Sequence, residues 1–289
     1  MNASTYLRYQ VENKIATILI ERPDKLNALT RQMAAGIGDL LDRVDTDDAV
    51  QCVIISGVGR AFCAGADLSA ADTTFANAKM DREDAVDAER MRDYGGRLSL
   101  RLFDCLKPVI FAVNGPAIGI GATMTLAGDI RLASHRASFG LPFVRRGIVP
   151  DACASWFLPR IVGIGTALEW TMTGRRVTAE EALNAGLARS LHDPDDLLPA
   201  AVALAREIVD HAAPVSAALT RQLLWRMLGA AHPMEAHKLE SRGIYARART
   251  PDVAEGIASF LEKRPAHFSG RVSQDMPDFF PWWSQPNYE

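Results

Sequence analysis

Short blocks of apolar residues, each closed by glycine, proline or polar turn residues, run through the first half of the chain. Blocks of this length and composition are typical of strands. They lie at residues 6–11, 15–20, 50–56, 109–113 and 130–133. Between the second and third blocks, apolar residues recur at helical spacing after Thr30, and threonine is a favoured N-cap residue. Strands are therefore predicted to dominate the first half of the chain.

Helical spacing returns at residue 121 and becomes dominant beyond residue 150. Helices are predicted at 121–127, 152–161, 166–173 and, with breaks near Pro214, 229–233 and 250–251, from 197 to 264. Thr178 and Glu181 have the spacing of a capping box, and Gly186 marks the end of the short helix that follows. The segment 79–97 is dense in alternating charge, which favours a solvated helix or a mobile flap. Together these patterns predict a mixed α/β fold with a helical C-terminal part.

The chain ends in a tail rich in aromatic and turn residues. Its aromatic side chains are Phe268, Phe279, Phe280, Trp282, Trp283 and Tyr288. Exposed aromatic rings are unfavourable in water, so the tail is predicted to dock on the body or on another subunit, with disorder as the alternative. The predicted organisation is a core over residues 1–195, a helical region over 196–268 and this extension over 269–289.

Composition narrows the possible functions. The chain has 289 residues, of which 48% are hydrophobic, and a formal net charge of −3. That charge gives no electrostatic reason to expect nucleic acid as a partner. The N-terminus lacks the pattern of a signal peptide, and no apolar run reaches the roughly 18 residues that span a membrane. The four cysteines form no C-x-x-C pair. A cytoplasmic protein with reduced thiols and no membrane partner is therefore expected.

Common catalytic and cofactor motifs are missing. The sequence contains neither the G-x-S-x-G of a nucleophile elbow nor the G-x-x-x-x-G-K-[ST] of a phosphate loop. Gly119 and Gly121 begin like a dinucleotide fingerprint, but Met124 stands where the third glycine belongs. The histidines have no pairing typical of a metal site. Neither a metal nor a bound cofactor is expected.

Two glycine-rich stretches follow predicted buried strands, at residues 59–68 and 114–123. Their small residues let a ligand approach the backbone. The second stretch leads into a helix, whose first N–H groups lack partners within the helix. Two converging N–H donors would form an oxyanion hole, although ordinary strand-to-helix turns would have the same composition.

One carboxylate lies in an apolar setting within residues 147–155, which read GIVPDACAS. Asp151 is the only charged residue there, and Trp156 follows closely. Burial of such a group without a partner is unfavourable. Asp151 is either the N-cap of the next helix or a catalytic group.

Several motifs occur together in the order and spacing of one family. They are RPDKLNAL from Arg22, AFCAGADL from Ala61, AVNGPAIGIGATMTLAGDI from Ala112, ASFGLPFVRRGIVP from Ala137, TGRRVTAEEALNAGL from Thr173 and EGIASFLEKR from Glu255. Over roughly residues 6–268 the chain resembles the enoyl-CoA hydratase/isomerase (crotonase) superfamily. The resemblance implies a spiral of ββα units, a C-terminal helical trimerisation region and assembly as a homotrimer or a dimer of trimers. It also implies an acyl-CoA substrate, so that coenzyme A enters as part of the substrate.

The same resemblance implies a set of binding residues. The backbone N–H groups of Ala66 and Ile120 would form the oxyanion hole, with isoleucine at a position where relatives usually have glycine. An isoleucine side chain must point away or narrow the acyl pocket. The implied contacts to coenzyme A are Lys25, Ala64, Asp67, Leu68, Phe260 and Lys263.

Hydratases of this family use two glutamates, and the matching positions here are Thr123 and Phe143. Neither residue activates water or protonates carbon, so ordinary hydratase activity is not expected. Related Δ3,Δ2-enoyl-CoA isomerases have a single catalytic acid at the position of Asp151. The resemblance therefore favours double-bond isomerisation with Asp151 as acid and base. Apolar neighbours would raise its pKa, whereas the N-terminus of a following helix would lower it.

Three alternatives remain open at this point. The first is a hydratase with a non-standard site. The second is an aryl-CoA dehalogenase with Asp151 as nucleophile, which is disfavoured because residues 79–97 contain no histidine to accompany it. The third is a degenerate acyl-CoA-binding protein that has lost catalysis.

Overall fold

The computed structural model describes residues 6–69 and 92–288, and the elements are numbered within these ranges. The strands are β1 (Leu7–Glu12), β2 (Ile15–Ile20), β3 (Cys52–Gly57), β4 (Val109–Val113), β5 (Pro116–Ile118), β6 (Ile130–Ser134), β7 (Ser138–Gly140), β8 (Arg176–Thr178) and β9 (Ser190–His192). The helices are α1 (Arg31–Thr46), α2 (Tyr94–Asp104), α3 (Ile120–Thr123), α4 (Ala154–Val162), α5 (Ile164–Thr173), α6 (Ala179–Asn184), α7 (Leu197–His211), α8 (Pro214–Met227), α9 (Pro233–Arg247) and α10 (Pro251–Glu262).

A six-stranded sheet in the order β1-β2-β3-β4-β6-β9 forms the centre of the fold. Strand β1 is antiparallel to β2, and the other neighbours run parallel. All of β2 and β4 is buried, as expected for parallel strands that are covered on both faces. On one face, Met33, Ile37 and Leu41 of α1 join the main core. On the other face, α7 packs against β2, β3, β4 and β6.

The predicted mixed α/β fold with a helical C-terminal part is confirmed, and most predicted elements lie within two residues of their observed positions. Thr30 caps α1 by accepting a hydrogen bond from the Met33 N–H. Thr178 and Glu181 form both bonds of the predicted capping box. Residues 79–91 of the charged segment lie outside the described residues, and its last residues belong to the start of α2.

Two predicted helices have different bounds. The helix predicted at 152–161 begins at Ala154, because Ala152 and Cys153 have φ angles of 54° and 58°, in the left-handed region. The helix predicted at 121–127 is a short α-helix, α3, that continues as the 3-10 helix Met124–Ala127. Both differences lie beside the candidate site.

Backbone contacts hold the two glycine-rich stretches against each other. The Phe62 and Cys63 N–H groups both donate to the Pro116 carbonyl, and the Ile118 N–H donates to the Cys63 carbonyl, at 2.9 Å. A Cβ atom at Gly121 would lie 2.2 Å from the Cys63 oxygen. Glycine is therefore required there by the close approach of two backbones.

The aromatic tail docks on the body of the same chain, as one of the sequence predictions proposed. The Arg226 guanidinium on α8 lies 3.2 Å from the centroid of the Trp283 ring, and Arg242 on α9 lies 4.5 Å from that of Phe279. Gln285 donates to the Asp104 carboxylate at the end of α2. Among the described residues, no helix is both long and apolar enough to cross a membrane.

Candidate active site

A cavity of about 570 Å³ lies where the two glycine-rich stretches meet. Four segments line it, at residues 64–68 except Asp67, 93–95, 118–120 and 142–151 except Val144 and Arg145. Its wall thus combines both glycine-rich stretches with the start of α2 and the apolar turn before α4. The sequence predicted three of these segments, and the contribution of α2 is an addition from the structure.

Ala66 and Ile120, the implied oxyanion-hole residues, both line the cavity. Within the described residues, neither N–H group donates to another backbone carbonyl. Ile120 is the first residue of α3, and Gly119 before it has a φ of 55°. A helix start leaves N–H groups unsatisfied, and unsatisfied donors in a cavity suit an anionic oxygen.

The side chain of Ile120 packs toward α2. It is 2% exposed, and its Cδ1 would lie 2.9 Å from a Cβ atom at Gly95. The absence of a side chain at residue 95 therefore provides the room that isoleucine needs at residue 120. This pairing explains how the bulkier residue fits beside the cavity.

Asp151 lines the cavity and accepts a hydrogen bond from the Thr123 hydroxyl, with Oγ1 and Oδ1 2.7 Å apart. Burial raises the pKa of the Asp151 carboxyl to about 6, and the charge of Asp93 adds to the rise. The bond from Thr123 and the N–H of Asp151 itself act in the opposite direction. Because a general base works best near the ambient pH, a carboxyl with this pKa suits proton transfer.

The interpretation of Asp151 as a helix cap is wrong. Helix α4 begins at Ala154, and its N-cap is Cys153, whose side chain makes no capping hydrogen bond in the described part of the chain. The left-handed residues Ala152 and Cys153 stand between Asp151 and the helix, and each costs about 1–2 kcal/mol in that conformation. The carboxylate therefore faces Thr123 instead of the helix N-terminus.

Thr123 and Phe143, which the sequence resemblance aligns with the hydratase glutamates, are buried. Thr123 is 0% exposed and Phe143 is 6% exposed. Phe143 forms an apolar part of the cavity wall. Thr123 is not a lining residue, but its hydroxyl donates a hydrogen bond to the lining residue Asp151. Neither side chain carries an acidic group, and the loss of ordinary hydratase activity stays a prediction.

Asp93 and Tyr94 are site residues that the sequence analysis did not single out. Both line the cavity at the start of α2. Asp93 caps that helix by accepting a hydrogen bond from the Gly96 N–H at 2.5 Å. Burial raises the pKa of the Tyr94 hydroxyl, and the charge of Asp151 raises it further. The sequence signal that could have identified them is an aspartate followed by a helical pattern at residues 93–97.

The implied coenzyme A contacts are spread over the molecule. Ala64 and Leu68 line the cavity, and Lys25 lies exposed on the 3-10 helix Pro23–Lys25. Phe260 is 81% exposed, and Lys263 is the C-cap of α10. These last two residues lie outside the cavity wall of their own chain. All of these contacts stay predictions.

Asp67 has partners within the chain. Its carboxylate pairs with Arg22 at 2.5 Å and accepts hydrogen bonds from the Ser69 N–H and hydroxyl. The bonds from Ser69 and Arg22 lower the pKa of Asp67 to about 2. The arrangement fixes the turn that carries the Ala66 N–H.

Known proteins resemble this chain over most of its length. The family model described as enoyl-CoA hydratase/isomerase matches residues 10–271. The chain is 41% identical to enoyl-CoA hydratase ACTT3 of Alternaria alternata, over 90% of this chain and 84% of that protein. It is 31% identical to 1,2-epoxyphenylacetyl-CoA isomerase of Escherichia coli (strain K12), over 92% of this chain and 99% of that protein.

Solved structures of similar proteins share the fold. The crystal structure of a probable enoyl-CoA hydratase/isomerase from Mycobacterium abscessus has a TM-score of 0.82 and 33% identity. The alignment covers 92% of this chain and 99% of that chain. The α/β architecture of the described residues is thus the crotonase fold that the sequence motifs implied. The chain belongs to the enoyl-CoA hydratase/isomerase family.

Proposed function

We propose that this enzyme moves a double bond in enoyl-CoA thioesters from the 3,4 to the 2,3 position, with Asp151 as acid and base. The observation that carries the proposal is the placement of Asp151. It is a carboxyl group of raised pKa in the wall of a cavity that also presents the Ala66 and Ile120 backbones. One carboxyl group is sufficient for this reaction, because the proton that it removes is the one that it returns.

The reaction begins at C2 of the substrate. Asp151 takes a proton from C2, the C2–H electron pair forms a double bond to C1, and negative charge develops on the thioester oxygen. The N–H groups of Ala66 and Ile120 stabilise that charge as oxyanion donors. The protonated Asp151 then returns the proton to C4, while the double bond shifts to C2–C3 and the thioester carbonyl is restored.

The pKa of Asp151 fits both steps. With a pKa of about 6, roughly nine-tenths of the carboxyl groups are ionised at neutral pH and ready to accept a proton. Once protonated, the same group is acidic enough to return the proton to carbon. An exposed aspartate, with a pKa near 3.9, would be a much weaker base.

Hydration of 2-enoyl-CoA is the second candidate function, favoured by two observations. The first is that the relative from Alternaria alternata is named an enoyl-CoA hydratase. The second is that Asp93 also lines the cavity, so two carboxyl groups are available for water activation and carbon protonation. Against it, Asp93 is engaged in capping α2.

The test compares the two reactions in the purified protein and in two matched variants. The wild type is expected to isomerise 3-enoyl-CoA, and Asp151→Asn to lose at least about 100-fold in turnover while acyl-CoA binding is kept. Asp93→Asn retains a capping side chain and should keep most of the isomerisation. Full turnover by Asp151→Asn would contradict the assignment of the base.

The remaining outcomes separate the alternatives. Rapid hydration of 2-enoyl-CoA by the wild type, lost in both variants, would establish the two-carboxylate hydratase instead. Acyl-CoA binding without either reaction would identify a protein that has lost catalysis.

We also propose that the enzyme assembles with itself through the C-terminal helices. Large apolar side chains are exposed there, namely Leu224, Leu228, Ile244, Tyr245, Ile257, Phe260 and Leu261. Exposed apolar area of this extent on neighbouring helices is typical of protein interfaces. A homotrimer or a dimer of trimers would cover it and would bring Phe260 and Lys263 to a neighbouring cavity. Light scattering after size-exclusion chromatography gives the mass, and a monomer would contradict the proposal.

A further inference from the structure

Thr123 joins the two halves of the candidate site. It is the last residue of α3, the helix that starts at the oxyanion-hole residue Ile120, and it is completely buried. Its backbone N–H donates to the Gly119 carbonyl at 2.9 Å. Its hydroxyl oxygen lies 2.7 Å from Asp151 Oδ1 and 3.3 Å from the Gly119 oxygen. Threonine thus ties the carboxyl group to the residue before the oxyanion donor.

The hydroxyl has one proton to donate, and the shorter contact indicates where it goes. At 2.7 Å the bond to Asp151 has the length of a hydroxyl donating to a carboxylate, whereas 3.3 Å to Gly119 is long. Oδ1 can accept this bond in both ionisation states of Asp151, provided that any proton on the carboxyl group sits on Oδ2. The contact is therefore compatible with the whole catalytic cycle.

We propose that Thr123 is a positioning residue, which holds Oδ1 of Asp151 and leaves Oδ2 as the oxygen that exchanges the proton with the substrate. This inference rests on the proposed function, because it takes Asp151 as the base. The C2–H bond breaks as the Oδ2–H bond forms, and the Oδ2–H bond breaks as the proton bonds to C4. The Thr123 proton stays on its own oxygen throughout.

A fixed carboxyl group matters because one oxygen must reach two carbon atoms in sequence. Rotation about the Cβ–Cγ bond would exchange Oδ1 with Oδ2 and turn the proton away from C4, since terminal torsions of this kind are broad. Binding Oδ1 to a buried hydroxyl restricts that rotation. A reacting group held in place lowers the barrier, and small displacements have large effects on rate.

Three variants separate positioning from simple packing. Thr123→Val keeps the shape and removes the hydroxyl, and Thr123→Ser keeps the hydroxyl and removes the methyl group. Thr125→Val is the matched control, because Thr125 is also completely buried and its hydroxyl donates to the Ala122 carbonyl, away from Asp151. Each variant is studied by carbon NMR titration of the Asp151 carboxyl in the free protein and by the pH profile of 3-enoyl-CoA isomerisation.

Thr123→Val is expected to raise the pKa of Asp151 by about one unit, because a hydrogen bond to the ionised form is lost. Its kcat should fall about 10- to 100-fold, and the acidic limb of the pH profile should move upward with the titration. Thr123→Ser should recover most of the rate and an almost normal profile. Thr125→Val should leave both the titration and the profile of the wild type unchanged.

Two results would overturn the inference. One is an unchanged Asp151 titration in Thr123→Val, and the other is a Thr123→Ser variant as impaired as Thr123→Val, which would assign the role to the methyl group. The NMR titration needs no turnover, so it tests the contact even if the proposed reaction is wrong. Full isomerase activity of Asp151→Asn would reject the proposed function itself, whatever the Thr123 variants show.

Discussion

Asp67 and Asp151 stand beside the same cavity, yet their carboxyl groups are shifted in opposite directions. Asp67 follows Ala66 in the first glycine-rich stretch, and bonds from Ser69 and Arg22 lower its pKa to about 2. Asp151 lies in the turn before α4, and burial raises its pKa to about 6. Asp67 binds the Ser69 hydroxyl at 2.6 Å and the Arg22 guanidinium at 2.5 Å, whereas Asp151 binds the Thr123 hydroxyl at 2.7 Å.

The difference lies in how far burial is offset by the bonds that each carboxylate accepts. The Ser69 hydroxyl, the Arg22 guanidinium and the Ser69 N–H all donate to Asp67 and keep the group ionised, so it fixes a turn without exchanging protons. A hydroxyl orients Asp151 but compensates its burial only in part, so both ionisation states remain within reach near neutral pH. Of Asp67 and Asp151, the one without a cationic partner among the described residues is the better candidate for acid–base chemistry.

The largest effect is expected from Asp151→Asn on stability. The folded pKa of about 6 exceeds the unfolded value near 3.9, so ionisation destabilises the folded state as the pH rises between these values. Above pH 6 the penalty is about 3 kcal/mol. The variant should therefore be more stable than the wild type at pH 7 by up to about 3 kcal/mol, although it has lost activity.

Urea unfolding of both proteins at pH 7 and at pH 4 measures this difference. The stability gain should be large at pH 7 and nearly absent at pH 4, where Asp151 is protonated in the folded state. An equal gain at both pH values would mean that the asparagine acts through packing, and the contrast with Asp67 would lose its basis.

The next effect is on the pH dependence of isomerisation. Because Asp151 must be ionised to remove the C2 proton, kcat/KM should fall about tenfold per unit below the pKa of about 6 and level off above it. If Asp67 were the base, its pKa of about 2 would place the acidic limb of the kcat/KM profile far below pH 6. A profile from pH 4.5 to 8 with a 3-enoyl-CoA substrate provides the test. A flat profile over that range would contradict the assignment of Asp151 as the base.

Much of this site follows from sequence. The two glycine-rich stretches are recognisable because a side chain at Gly121 would collide with the Cys63 carbonyl, and such constraints leave glycine as the only suitable residue. Asp151 is conspicuous as a lone carboxylate among apolar neighbours. The strands and the Thr30 cap are equally clear from periodicity and residue type.

The local arrangement around Asp151 is not predictable in the same way. Ala152 and Cys153 adopt left-handed conformations although neither is glycine, and nothing in residue propensity signals this. Their conformation moves the start of α4 and turns Asp151 away from the helix. Its partner Thr123 is 28 residues distant in the chain and belongs to another element. Only the packed structure brings these two side chains together.

The smallest effect is expected from Asp67→Asn. It removes the ion pair with Arg22, while Ser69 can still donate to the amide oxygen and Arg22 still donates to the Ala28 carbonyl at 3.2 Å. The side chains of Arg22 and Asp67 are only 13% and 9% exposed, but because both residues keep other partners the loss should be about 1–2 kcal/mol at neutral pH. The folded pKa lies below the unfolded one, so this contribution is present above pH 4 and is lost as the pH falls toward 2.

A double-mutant cycle with Arg22→Gln isolates the pair, and a coupling energy of about 1 kcal/mol is expected from urea unfolding at pH 7. Isomerase turnover of Asp67→Asn should stay within a few-fold of the wild type, since the carboxylate positions the turn only through contacts that are partly retained. Asp67→Asn and Asp151→Asn thus have opposite signs in stability and very different sizes in turnover. A turnover loss in Asp67→Asn as deep as that in Asp151→Asn would show that a carboxylate paired with a cation also takes part in the reaction, and the partner would no longer distinguish the two groups.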